Sequence, residues 1–143
     1  MTVSAKDFEQ FARQLLEGTK EIEWRNSASR IYYAAYHACL QQAHRCPENG
    51  HFKMGSHEAL INRYELQSST PARSIAYILL EMKRVRCNAD YVIDGKFEKN
   101  TAVTQMAYHQ KISANLEAFL QQFASGHATD ADAQALKASR IEV

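Results

Sequence analysis

Glycine and proline are scarce in this chain, five and two among 143 residues, and long β-branched runs are few. These shortages argue against strands joined by tight turns and predict an all-helical protein. No apolar run approaches the ~20 residues that a membrane-spanning helix needs, so no membrane role is expected. The opening stretch MTVSAKDFEQFARQ is charged early and has no apolar segment of the kind a signal peptide carries. Excess charge is also lacking: 17 Lys and Arg stand against 16 Asp and Glu, a net charge of +1. Nucleic acid would therefore be met by a local patch and not by a bulk basic field. The three cysteines, Cys39, Cys46 and Cys87, form no CxxC pair, and their odd number excludes a simple disulfide framework. Reduced thiols predict a cytoplasmic protein. P-loop, HExxH and GxSxG motifs are absent. Cys39, His44 and Cys46 have no fourth ligand at a suitable spacing, so neither a metal nor a cofactor is expected.

What remains is helical periodicity. A chain of 143 residues suits one compact domain with its own core. Phe8, Phe11, Ala12, Leu15 and Leu16 recur at helical spacing in a first helix that starts at Ser4 or Lys6 and ends at Gly18. A second helix is expected from Glu21 to about Arg45. Its middle, ASRIYYAAYHACL, is apolar around much of its circumference, which places it at the centre of a bundle. CPENGHFKMG reads as a loop, and Ser56 as the cap of a short third helix, HEALINRYEL. Thr70 is expected to cap a fourth helix, with Pro71 in its first turn and a seam of Ile75, Ile78, Met82, Val85 and Ala89. Asp94-Gly95 marks a turn. A last helix, capped by Asn100 or Thr101, carries Ala102, Met106, Leu116, Phe119, Leu120 and Phe123 and stops at Ser125-Gly126. The expected architecture is an up-and-down antiparallel bundle of four to five helices over residues 1–125, followed by a polar tail over 126–143 with at most one weak helix.

Three stretches carry chemistry. Arg30, His37 and His44 are spaced by seven, so they fall on one helical stripe, each ~10 Å along the axis from the next. A cation and imidazoles on one stripe suit a phosphate ligand. The same pattern also suits a packed helix whose Arg meets a carboxylate on a neighbour. Lys83, Arg84 and Arg86 form a cationic cluster near the end of the fourth helix, either a phosphate patch or plain stabilisation of a helix C-terminus. Asp90 stands four residues after Arg86 and can pair with it. His57 opens the third helix, where the free amides favour an anion, although an ordinary capping turn explains it equally. The pattern Arg, four to six residues, His occurs at Arg30…His37 and again at Arg45…His51, across Pro47. So loose a pattern arises easily by chance.

SRIYYAAYHA followed by RCNADYV resembles the HEPN domains (higher eukaryotes and prokaryotes nucleotide-binding), especially their small stand-alone prokaryotic group. The shared features are Arg30, Tyr32-Tyr33-Ala34 and Tyr36-His37-Ala38 on one helix, and His57 in GSHEAL. Arg86 with Asp90-Tyr91 and Phe119-Leu120 follow in the same order between Glu21 and Phe123. The resemblance implies a HEPN-like helical bundle, commonly a homodimer, that works on RNA or nucleotides. It further implies a metal-independent ribonuclease of the toxin or antiviral-defence kind, sometimes encoded beside a minimal nucleotidyltransferase partner. Carried onto this chain, the implied catalytic residues are Arg30, His37 and His57, and the RNA- or nucleotide-binding residues are Lys83, Arg84, Arg86, Asp90 and Tyr91. The chain departs from the toxin-type signature at the fourth helix, where Asp90 occupies the position expected for His. The alternative is a non-catalytic dimeric module that binds a nucleotide, an RNA or a nucleotidyltransferase. A purely structural adaptor, with Arg30 and Asp90 as a buried ion pair, is a third.

Overall fold

The computed structural model describes residues 2–46 and 55–124. The described residues form five α-helices: α1 (Ala5–Leu16), α2 (Glu21–Gln41), α3 (Ser56–Glu65), α4 (Thr70–Tyr91) and α5 (Lys99–Ala124). A 3₁₀ turn, Ala43–Arg45, follows α2. No strand occurs among the described residues. The loop expected over 46–55 and the tail over 126–143 fall almost wholly outside the described residues, as do His51 and the expected stop at Ser125-Gly126.

Local chemistry sets the helix starts. Ser4 and Asp7 form a reciprocal capping box at α1: the Ser4 amide donates to the Asp7 carboxylate at 2.7 Å, and the Asp7 amide donates to Ser4 Oγ. The Trp24 indole donates to Gly18 O at 2.9 Å and closes the turn between α1 and α2. Four expected boundaries shift, among them the start of the last helix, which begins at Lys99, ahead of the expected caps Asn100 and Thr101. The cap of α3 is Gly55, not Ser56, and it offers no side-chain acceptor. The cap of α4 is Ser69, whose hydroxyl accepts from the Ala72 amide, so Thr70 already lies inside the helix beside Pro71. The central helix stops at Gln41 and tightens into the 3₁₀ turn, which takes His44 off the stripe shared by Arg30 and His37 and leaves it exposed.

Contacts between helices give their directions. Ser27 Oγ, early in α2, donates to Ala12 O, late in α1, at 2.7 Å. Ser69 at the start of α4 meets Gln122 near the end of α5 at 2.8 Å. Arg25 near the start of α2 meets Ala89 O near the end of α4 at 3.0 Å. The four longer helices α1, α2, α4 and α5 therefore alternate in direction, as short connections favour. Short α3 is the exception. His57 reaches Tyr32 and Tyr64 reaches Cys39 O, so α3 runs parallel to α2. The connection from Cys46 to Gly55 is long enough to permit a return in the same direction.

At the centre, α2 packs on α1, α4 and α5. Ala28, Ala34 and Ala35 are fully buried and let neighbouring helices approach closely. Tyr32, Tyr64, Ile75, Leu79, Met82, Ile112 and Phe119 fill the core. The expected α4 seam is buried except for Val85, which is half-buried. Phe11 is exposed although its spacing matched the apolar stripe of α1. Cys39 and Cys46 are buried free thiols; burial pushes Cys46 up to about 12 and Cys39 up as well, so neither is a thiolate at neutral pH.

One buried titratable pair makes the fold sensitive to acid. His109 on α5 lies 3.8 Å from Glu9 on α1, and its Nδ1 has no hydrogen bond. Burial pulls the His109 pKa below the ordinary histidine value despite the Glu9 carboxylate. His57 is lowered in the same direction, first by burial and then by Arg86 and Lys83. A histidine lowered in the folded state binds fewer protons there than when unfolded. Its contribution is complete above about pH 6.5 and is lost as pH falls through that value toward the lower folded pKa. Urea midpoints are expected to drop between about pH 7.5 and 5.5. The His109→Gln, His57→Gln double variant is expected to flatten that dependence. An equally steep loss in the double variant would exclude these two residues as the cause.

Candidate functional site

Three helices deliver polar side chains to one aromatic cluster. From α2 come Ser29, Arg30, Tyr32, Tyr33, Tyr36 and His37, from α3 His57, and from α4 Lys83, Arg86, Asp90 and Tyr91. Tyr33 is the hub. The guanidinium carbon of Arg30 lies 5.0 Å from its ring centroid and that of Arg86 5.4 Å. Phe8 of α1 approaches Arg30 at 5.9 Å, and Arg86 also stands over Tyr32 at 5.6 Å and Tyr91 at 5.9 Å. Each such contact contributes about 0.5–2 kcal/mol depending on desolvation.

Asp90 supplies the counter-charge, and Ser29 relays it. Arg86 Nη1 is 3.6 Å from the Asp90 carboxylate, the i,i+4 pair expected from spacing. Ser29 Oγ donates to the same carboxylate oxygen at 3.0 Å and accepts from Arg30 Nη2 at 3.2 Å. Arg30 and Asp90 are therefore linked through a hydroxyl. They do not form the direct buried ion pair of the structural alternative, because Ser29 stands between them and Asp90 lies at the surface. Arg86 is 8% exposed, and its Nε has no hydrogen-bond partner. A guanidinium buried without its hydrogen bonds costs stability.

The two imidazoles lie on the same cluster. The His37 ring packs 5.2 Å from Phe8, 5.3 Å from Tyr36 and 6.3 Å from Tyr33. The His57 ring packs 4.5 Å from Tyr36 and 5.6 Å from Tyr32. Its Nδ1 is 2.6 Å from Tyr32 Oη. Burial and then the charges of Arg86 and Lys83 hold His57 below the ordinary histidine value, so it is neutral at pH 7. Burial raises the Tyr32 phenol far out of the neutral range, so it keeps its proton.

Two members of the expected cationic patch part company. Lys83 and Arg86, three residues apart, share a face of α4. Lys83 Nζ sits 3.7 Å from the Glu58 carboxylate of α3. Arg84 points elsewhere: it pairs with Glu81 at 2.9 Å and interacts with Tyr108 of α5. Each helical residue turns ~100°, which carries position 84 well away from 86. Thus Arg30, His37, His57, Lys83, Arg86, Asp90 and Tyr91 come together, and Arg84 and His44 do not. Among the described residues, no group of three His, Cys, Asp or Glu side chains is placed to hold a metal ion. No helix of the described residues is long and apolar enough to cross a membrane.

Ser29, Tyr32, Tyr33 and Tyr36 join the site beyond the residues that the sequence motifs single out. Their spacing was the available signal: Ser29, Tyr33 and Tyr36 recur at helical intervals beside Arg30 and His37, so one face of α2 carries both rings and charges. Comparison of the chain with protein-family models, with curated proteins and with solved structures finds no match.

Proposed function

We propose that this chain is a HEPN-type, RNA-directed protein of the cytoplasm that cleaves single-stranded RNA without a metal ion, through a variant of the family's Arg-His site. The observation that carries this is the convergence of two guanidinium groups and two imidazoles on one tyrosine cluster from three separate helices. RNA brings its own nucleophile, the 2′-OH. An imidazole takes that proton as the 2′-oxygen bonds to phosphorus and the bond to the 5′-oxygen breaks. The proton then leaves with the 5′-oxygen, and a 2′,3′-cyclic phosphate remains. Arg30 and Arg86 stabilise the charge on the phosphorane-like transition state. Tyr91, 73% exposed beside Arg86, offers a ring on which a base can stack. Formation of a homodimer and association with a minimal nucleotidyltransferase belong to the same proposal.

A labelled single-stranded RNA incubated with the protein in EDTA tests it. Cleavage is expected in chelator and is expected to fall about 10²-fold or more in His37→Ala. Wild-type protein that is folded yet inert toward RNA would overturn the nuclease proposal. One observation favours the non-catalytic alternative. The Asp90 carboxylate sits 3.6 Å from Arg86, where it opposes an incoming phosphate, at a position where the HEPN resemblance implies a His for toxin-type members. That alternative predicts RNA or nucleotide binding without turnover.

A further inference from the structure

Resting on the RNA-directed reading proposed above, we infer that His57 is not the base of this site but a neutral hydrogen-bond donor, locked by Tyr32 into the tautomer that carries its proton on Nε2 and offers that N–H to a phosphate oxygen. The assignment comes from counting hydrogens in a closed space. Tyr32 is fully buried, and among the described residues its hydroxyl has one partner, His57 Nδ1 at 2.6 Å. If Nδ1 carried the proton and donated to Tyr32, the phenol's own hydrogen would be buried with no acceptor. An unsatisfied buried donor costs about 1–3 kcal/mol. The reverse arrangement satisfies both groups: Tyr32 O–H donates to a bare Nδ1, and the ring's single proton resides on Nε2.

The surroundings keep the ring in this state. The rings of Tyr32 and Tyr36 pack against it at 5.6 and 4.5 Å, which limits its rotation. Arg86 and Lys83 are near enough to disfavour a second proton, and Tyr32, itself held as a phenol, cannot take one. Nε2 has no partner within the described protein, so it is the nitrogen left for a ligand. A neutral imidazole gives a hydrogen bond without surrendering its proton, which suits an oxygen gaining negative charge. The base then falls to His37, whose ring lies on the same tyrosines and makes no hydrogen bond to a described residue.

The test has two arms. The full chain, labelled with ¹⁵N at histidine, is examined by long-range ¹H–¹⁵N correlation near about pH 7.5, where an ordinary histidine is neutral. In the wild type His57 is expected to show a bare Nδ1 and a protonated Nε2. In Tyr32→Phe, which keeps the ring and removes the donor, both tautomers are expected. A protonated Nδ1 in the wild type, or no change in Tyr32→Phe, overturns the assignment. Addition of a 2′-O-methyl RNA oligonucleotide, which cannot be cut, is expected to shift the Nε2–H signal; a bound oligonucleotide that leaves it unmoved also overturns it. The second arm compares cleavage by His57→Gln and His57→Ala. Gln restores an N–H donor near the Nε2 position but supplies no base, so it is expected to stay within about 10-fold of wild type while Ala loses about 10²-fold. A folded Gln variant as inactive as Ala overturns the donor role. The tautomer measurement does not depend on turnover. A chain that neither binds nor cuts RNA therefore overturns the function proposed above, whereas a protonated Nδ1 in an active chain overturns this assignment alone.

Discussion

Arg25→Ala is expected to lower the free energy of unfolding by about 1–3 kcal/mol, because a buried carbonyl at the end of α4 loses its donor. Arg25 sits near the start of α2 and is 7% exposed. Its Nη1 donates to Ala89 O at 3.0 Å and to Val92 O at 2.9 Å, its Nη2 donates to Gly95 O, and Glu21 lies one turn back at 3.5 Å. The guanidinium thus satisfies carbonyls at the end of α4, where helical acceptors run out of partners, and fastens the turn that leads into α5. Phe97 packs beneath it at 5.4 Å, and the Phe97 amide donates to Glu21. Truncation leaves the buried Ala89 carbonyl without this donor and unties the Val92 and Gly95 carbonyls at the surface, while Glu21 keeps the Phe97 amide. Urea unfolding of Arg25→Ala and Arg25→Lys is the check. Lys keeps the charge but cannot span all three acceptors, so it is expected to recover part of the loss. A midpoint within error of wild type for Ala would mean that these hydrogen bonds contribute nothing net.

Arg86→Met is expected to spare stability and to cut function sharply. Arg86 is as buried as Arg25, yet its Nε is unpartnered and its carboxylate contact is 3.6 Å long. A buried charge so poorly paired is often neutral or unfavourable relative to an apolar residue of similar length. Unfolding free energy is therefore expected within about 1 kcal/mol of wild type, or above it. RNA cleavage is expected to fall about 10²–10³-fold, because the transition-state charge loses a guanidinium held in a low-dielectric setting. Unfolding curves and cleavage rates on the same preparation separate the two effects. Loss of several kcal/mol in Arg86→Met would make Arg86 a structural residue and remove it from the site.

These two arginines mark how far the chain could be read without its structure. The helices were legible because their causes are local: capping residues, the Pro71 turn, and apolar positions recurring at helical spacing. The misplaced caps at Ser56 and Thr70 were errors of one residue, since neighbouring polar side chains compete for the same role. The run of α2 was overextended because nothing in its composition announces the switch to a 3₁₀ turn after Gln41. Phe11 matched a stripe by spacing, but only the neighbours that cover a face decide whether it is buried.

Composition and period by themselves determined that this chain is helical, that α2 is central, and which of its residues carry cations and imidazoles. They did so because helix propensity, capping and periodicity act over a few residues. Tertiary structure alone decided which arginine is structural. Arg25 and Arg30 stand on the same helix, five residues apart, yet one is enclosed by the end of α4 and the other lies over Tyr33 and Phe8. It also decided that His57 meets Tyr32 across 25 positions of sequence, and that Lys83 and Arg86 face that pair while Arg84 faces α5. Such contacts depend on the direction and rotation of whole helices, and those follow from how every buried face in the bundle packs at once.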